Sequence, residues 1–193
     1  MTLIKSISGI RGTIGGRPGE NLTPDDIVKF TSAFGFWLQK KNPGRRISVV
    51  TGRDSRTTGP VVAGLVSNTL IAMGIDVIDT GIATTPTVEV AVTGSGSAGG
   101  IIITASHNPA EWNALKLLNG KGEFLSSAEG EELLSLAASG LISYSMHKEY
   151  GKIITDLSWS ERHIDLILSL DAVNRKSVAG RNFRIVADCI NSV

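Results

Sequence analysis

The apolar positions of this chain fall into short runs separated by glycine, proline and polar clusters, and the spacing within the runs switches between strand-like and helix-like periods. Gly99-Gly100-Ile101-Ile102-Ile103 is a dense β-branched run between two glycines and a set of polar turn formers, which predicts a strand buried on both faces. Arg46 to Thr51, rich in Val and Ile, predicts a second buried strand, and Asp76 to Asp79 a third short one. Thr23-Pro24-Asp25-Asp26 is a helix start: a hydroxyl N-cap, proline at the first helical position, and two carboxylates at the positive end of the dipole. Ile27, Phe30, Phe34, Trp37 and Leu38 then share one helical face, and Asn42-Pro43-Gly44 ends the element. A second helix begins at Pro60, keeps a helical period through Val62, Leu65, Val66, Thr69, Leu70 and Met73, and closes on Gly74 as a left-handed cap. Pro86 to Val92 opens a short helix, followed by a flexible Gly94-Ser95-Gly96-Ser97 run.

Residues 6 to 16, with glycines at 9, 12, 15 and 16 around Arg11, read as a strand or extended loop ending in a turn. After the isoleucine run, Ala114 to Leu118 and Gly122 to Leu125 read as two strands joined by the turn residues Asn119-Gly120-Lys121. Ser126 or Ser127 caps the next helix, with Glu129 placed for a capping box to Ser126, and Gly140 ends it. Strands alternating with helices predict an α/β fold, a doubly wound sheet with helices on both faces.

From Leu141 the composition shifts to Ser, Tyr, Lys and Gly, and a linker is expected at 146–155 between a first domain over 1–145 and a second unit over 156–193. That unit holds one helix, Asp156 to Leu170, and one buried-type strand, Phe183 to Cys189. The strand's neighbours are not in the sequence, so its edge invites docking on the first domain or association with a second copy as a homodimer.

Composition narrows the chemistry. With 19 Lys+Arg, 18 Asp+Glu and few aromatics there is no basic block, which argues against nucleic acid as a partner. No apolar run is long enough to span a bilayer and Met1 to Lys5 lacks a signal-peptide core, so no membrane partner is expected. The single cysteine, Cys189, has no internal partner, fits a reducing cytoplasm, and reads as a small buried hydrophobe in its strand. Scattered histidines give no zinc pattern. In open α/β sheets the ligand crevice lies beyond the carboxyl ends of the strands, which is where the isoleucine run delivers Ser106, His107 and Asn108. Pro109 restricts Asn108, leaving that loop few conformations.

Thr104-Ala105-Ser106-His107-Asn108-Pro109 followed by Glu111-Trp112-Asn113-Ala114-Leu115-Lys116 resembles the active-site signature of the α-D-phosphohexomutase family. Ser8-Gly9-Ile10-Arg11-Gly12 and Gly52-Arg53-Asp54-Ser55-Arg56 resemble two further elements of that family, in its order. Phe183 to Asn191 resembles the opening strand of the family's second domain, with Ser192 where a glycine is common; Ala114 likewise stands where the family has a glycine.

The resemblance implies a mixed sheet and a magnesium-dependent isomerase that moves phosphate on a hexose phosphate through a phosphoserine and a bisphosphorylated sugar. It implies Ser106 as the phosphoserine and, through its phosphate, as one Mg²⁺ ligand, the other ligands being an aspartate triplet absent from this sequence. Lys116 is implied as the proton-transfer group, although its spacing alone fits a solvated lysine on a hairpin strand. Arg11, His107 and Asn108 are implied as catalytic or phosphate-binding neighbours, while Arg53 and Arg56 either support the cleft or pair with carboxylates such as Asp54. Glu111-Trp112-Asn113 is similar to loops of phosphoglucosamine mutases, with phosphomannomutase and phosphoglucomutase as alternatives. A serine hydrolase is disfavoured because Ser106 lacks a Gly-x-Ser-x-Gly elbow, and a non-catalytic sugar-phosphate module because Ser106 and Lys116 occur together. On this reading the 193-residue chain is a fragment that folds but does not itself interconvert sugar phosphates.

Overall fold

The computed structural model describes residues 1–6, 9–189 and 192–193; Ser8, Ile190 and Asn191 of the resemblances above lie outside the described residues. The elements run β1 (Ile4–Ser6), β2 (Gly9–Thr13), α1 (Pro24–Lys41), β3 (Ser48–Arg53), α2 (Gly59–Ala72), β4 (Asp76–Ile82) and α3 (Thr85–Ser95). They continue with β5 (Gly99–Ile103), β6 (Trp112–Leu118), α4 (Ser127–Ser139), β7 (Ile153–Thr155), α5 (Trp159–Leu168) and α6 (Arg175–Ala179).

The strands form one mixed seven-stranded sheet in the order β1-β2-β6-β5-β3-β4-β7. Its centre is parallel, with β5 and β4 flanking β3, whereas β6 runs antiparallel to β5 and β2 antiparallel to β6. Each face carries helices. Ile101, Ile103, Leu115 and Leu117 point into a core with α1, α2 and α4, while Val50, Ile102 and Leu118 pack on the other side against Val88, Ala91 and Val92 of α3 and Trp159 of α5. Every residue of β5 is buried, as its unbroken apolar run requires.

Local chemistry explains most boundaries. The Thr23 hydroxyl caps α1 and Asp26 completes the box, and Ile27, Phe30, Phe34, Trp37 and Leu38 are all buried. The Trp37 indole N–H donates to Glu132 of α4 at 2.9 Å, tying two helices of one layer together. Ser126 and Glu129 form the second capping box, and Gly140 ends α4 in the left-handed conformation.

Four expectations change. Gly122 to Leu125 supplies only an isolated bridge, Leu118 to Phe124, because the turn closes back on itself through Asn119 and Glu123. Gly94 and Ser95 are the last turn of α3, which Gly96 caps, and so are not a flexible run. Residues 146–155 contain β7, parallel to β4 through Val77↔Ile153 and Asp79↔Thr155. Phe183 to Cys189 is not a strand: among the described residues it pairs with no strand of the sheet, and both Phe183 and Cys189 are exposed.

Asp76 holds the β7 side of the sheet. Its carboxylate takes hydrogen bonds from Arg46 (2.7 and 3.0 Å) and from the Lys152 amide (3.0 Å). The Arg46 hydrogen bond holds the Asp76 carboxyl below its ordinary range. A depressed carboxyl contributes stability above its unfolded value, about 3.9, and loses it as pH falls through the lower folded value. Asp76→Asn is therefore expected to lower the melting temperature at neutral pH but to narrow the gap to wild type on acidification below about pH 4. Parallel melting curves from neutral to acid pH check this, and a constant gap would refute it.

Candidate active site

The carboxyl ends of β3 and β5 lie side by side, in register from Val49↔Gly99 to Arg53↔Ile103, so the loops that follow them emerge together. The β5 loop turns sharply. Ser106 adopts φ 56°, a left-handed conformation uncommon for a residue with a side chain, and the Asn108 amide closes the turn on the Ala105 carbonyl at 3.1 Å. Behind it, the Ser106 amide donates to the Thr104 hydroxyl at 3.0 Å, and that hydroxyl donates to Asp54 at 2.6 Å.

The antiparallel strands bring the remaining groups. Arg11 of β2 sits opposite Ala114 of β6, and Lys116 lies two residues further along the same face as Ala114. Gly9, Arg11, Thr104, Ala105, Ser106, His107, Asn108, Ala114 and Lys116 together line a cavity of about 200 Å³. All five predicted site residues, Ser106, Lys116, Arg11, His107 and Asn108, thus share one cavity wall. The lining contains two basic side chains, Arg11 and Lys116, and no carboxylate. Among the described residues, the side chains of Arg11, Ser106, His107 and Lys116 make no hydrogen bond or salt bridge, so their polar atoms remain available to a ligand. Larger hollows exist. One of about 540 Å³ between α1 and α2, lined by Val28, Val61, Leu65 and Tyr144 among others, contains no charged group to meet a phosphate.

Other residues singled out from the sequence sit elsewhere. Asn113 is fully buried, donating to the Thr58 hydroxyl at 3.0 Å and accepting from the Ala114 amide at 2.8 Å, and so braces β6 against the start of α2. His163 meets Thr87 at 3.0 Å through its Nδ1. Arg56 does form the Asp54 ion pair, at 3.1 Å. Sequence reasoning missed its contacts to the serine loop, and it missed Glu89 of α3. Burial pushes the Glu89 carboxyl up, and the positive fields of Lys116 and then His163 oppose that shift. A carboxylate on α3 felt by Lys116 on β6 leaves no local signal.

Among the described residues no three His, Cys, Asp or Glu side chains come together as a metal site. The residues present therefore do not amount to a magnesium site by themselves. No helix among them is long and apolar enough to cross a membrane.

Comparison with known proteins gives the family of this fold. The family described as phosphoglucomutase/phosphomannomutase, alpha/beta/alpha domain I, matches residues 3–141. A probable phosphoglucosamine mutase of Methanopyrus kandleri is 35% identical over 184 residues, covering 95% of this chain and 37% of that protein. A phosphoglucomutase/phosphomannomutase of Thermococcus kodakarensis is 42% identical over 113 residues, 58% of this chain and 25% of that protein. The crystal structure of a phosphoglucomutase/phosphomannomutase family protein from Burkholderia thailandensis superposes with a TM-score of 0.69 at 25% identity, covering 86% of this chain and 36% of that one. This chain thus spans little more than a third of the length of such relatives. With the matched profile, the relatives' identity and the mixed sheet in agreement, the chain belongs to the α-D-phosphohexomutase family of phosphoglucomutases and phosphomannomutases.

Proposed function

We propose that this chain supplies the phosphoserine side of a phosphohexomutase site that interconverts glucosamine 6-phosphate and glucosamine 1-phosphate, in the cytoplasm. The observation that carries the reading is the convergence of Ser106, Arg11, His107, Asn108 and Lys116 on one carboxylate-free cavity at the end of a rigid buried strand. In the reaction a sugar hydroxyl oxygen attacks the phosphorus carried on Ser106. The Oγ–P bond breaks, a sugar O–P bond forms, and the hydroxyl proton passes to a base, for which Lys116 is the candidate. The bisphosphorylated sugar then presents its other phosphate. Ser106 Oγ takes that phosphoryl group back, and the departing sugar oxygen recovers a proton, so the net change is an isomerisation.

Phosphoryl transfer is served mainly by positioning and by cationic stabilisation of the equatorial oxygens. Arg11 is suited to grip them with its planar fork. Magnesium, when bound through the phosphoserine, would add charge neutralisation; among the described residues the Ser106 phosphate is the candidate ligand. Residues from 156 onward we take as the opening of a second domain, although its first helix, α5, packs Trp159 into the core beneath α3 of the first sheet. Phosphoglucosamine mutase names recur among the relatives, which favours that substrate. The Thermococcus phosphoglucomutase/phosphomannomutase, the more identical over its shorter match, supports glucose and mannose phosphates as the second reading.

The test is to incubate the intact gene product with glucose 1,6-bisphosphate and magnesium and to locate phosphate by intact-mass and peptide analysis. One phosphoryl group on Ser106 is expected, and phosphate only on other residues would overturn the assignment. Turnover of glucosamine, glucose and mannose 6-phosphates in coupled assays then selects the sugar. Lys116→Met is expected to slow the chemical step by about 10²–10⁴-fold while changing substrate affinity little. An effect confined to affinity would instead make Lys116 a phosphate binder.

A further inference from the structure

Arg56 follows β3, is only 13% exposed, and uses every donor it has. A guanidinium carries five N–H groups in a planar fork. Here Nε donates to Asp54 at 3.1 Å, Nη1 to the carbonyls of Pro109 (2.7 Å) and Trp112 (3.0 Å), and Nη2 to those of Ser106 (2.9 Å) and Asn108 (2.7 Å). Three carbonyls from the loop after β5 and that of Trp112, the first residue of β6, therefore converge on one side chain from the loop after β3. Asp54 closes the circuit: it accepts from Arg56, and also from the Thr104 hydroxyl that in turn accepts the Ser106 amide. Both polar groups of Ser106's own backbone, its N–H and its C=O, are thus anchored to the same ion pair. Ser106 is also the residue held at φ 56°.

We propose that Arg56 is the positioning residue of the serine loop, and that its guanidinium holds the left-handed turn aiming Ser106 Oγ at the incoming phosphoryl group rather than binding the substrate itself. The inference rests on the phosphoserine reading above and deepens it. The basic side chains divide the labour. Arg11 and Lys116 keep their donors for the ligand, whereas Arg56 has none left and its charge is matched by Asp54. Lysine could not take over, because its three donors spread from one point and cannot span four carbonyls and a carboxylate in a plane.

The experiment compares wild type, Arg56→Lys and Thr104→Val of the intact gene product. Three quantities are read: amide hydrogen exchange by residue, the single-turnover rate at which Ser106 gains phosphate from glucose 1,6-bisphosphate, and the affinity for that sugar. In Arg56→Lys, exchange at the Ser106, Asn108 and Trp112 amides should rise about ten-fold or more while β3 and β5 stay protected. Phosphoryl gain should slow by about 10²-fold, as for a reacting atom displaced by an ångström, and affinity should change much less. Thr104→Val, which cuts the other half of the circuit, should loosen Ser106 in the same way with Arg56 intact. Unchanged loop exchange and rate in both variants would overturn the proposal. So would a loss of affinity matching the loss of rate, which would make Arg56 a substrate binder, or exchange rising throughout the sheet, which would make it a general stabiliser. Failure of wild type to gain phosphate on Ser106 would instead overturn the phosphoserine reading, so the two failures are seen in different samples.

Discussion

Replacing Ser106 by glycine is expected to stop phosphoryl transfer altogether and at the same time to raise the melting temperature. The hydroxyl is the proposed acceptor, and neither glycine nor alanine offers an oxygen in its place. The fold loses nothing with it, since among the described residues Ser106 Oγ has no hydrogen-bond partner. What the fold gains is relief at φ 56°. A left-handed conformation costs an L-residue about 1–2 kcal/mol, and the extra freedom of glycine in the unfolded chain gives back about 0.5–1 kcal/mol. The net gain is about 0.5–1 kcal/mol, or roughly 1–4 °C in a chain of this size. Ser106→Ala, which keeps the Cβ, should be equally inactive with its melting temperature nearly unchanged. Paired melting curves and coupled assays read both effects. A glycine variant no more stable than the alanine variant would mean that the turn stores no strain, and residual turnover in either would remove Ser106 from the chemistry.

Gly9→Ala is expected to be the most destabilising single methyl in the N-terminal hairpin. Gly9 has φ +118°, and a Cβ built there would lie far inside contact with the carbonyl oxygen of Leu115 and tight against the Cα of Lys116. Both are backbone atoms of β6 and cannot rotate away. Left-handed strain and a strand forced apart together should cost about 3–5 kcal/mol. The edge pair β1–β2 should separate from β6 first, taking Arg11 away from the cavity that Lys116 and Ser106 keep. Gly19→Ala is the matched control: φ is +81° but nothing lies within 4 Å of the added carbon, so it should lose only the conformational part. Denaturant titration of the two variants checks the difference, and equal losses would mean that the close approach at Gly9 yields freely.

Much of the fold was legible because its signals are local. The buried character of β5 follows from Ile101 to Ile103 between glycines, and both capping boxes were visible in Thr23 to Asp26 and Ser126 to Glu129. Long-range partnership was not. Ile153-Ile154-Thr155 is too short to alternate and becomes a strand only because β4 offers it an edge. Phe183 to Cys189 has the opposite history: its residues favour a strand, yet no neighbour completes one among the described residues. At the site, the five cavity residues could be named from motifs. Arg56 could be seen only as a partner for Asp54, since its other four acceptors are backbone carbonyls about fifty residues away, which carry no side-chain signature.

The strand order has a consequence for how the protein comes off the ribosome. The hairpin β1–β2 leaves first, but its partner β6 is encoded about a hundred residues later, across the pairing of Thr13 with Trp112. At typical elongation rates of about 5–20 residues per second, the hairpin waits roughly 5–20 s before Ile10 can be covered and Arg11 can face Lys116. During that interval β3, α2, β4, α3 and β5 can already assemble as a parallel core. The phosphate cavity is thus closed only once β6 has emerged, when β1 and β2 dock beside a strand made about a hundred residues after them.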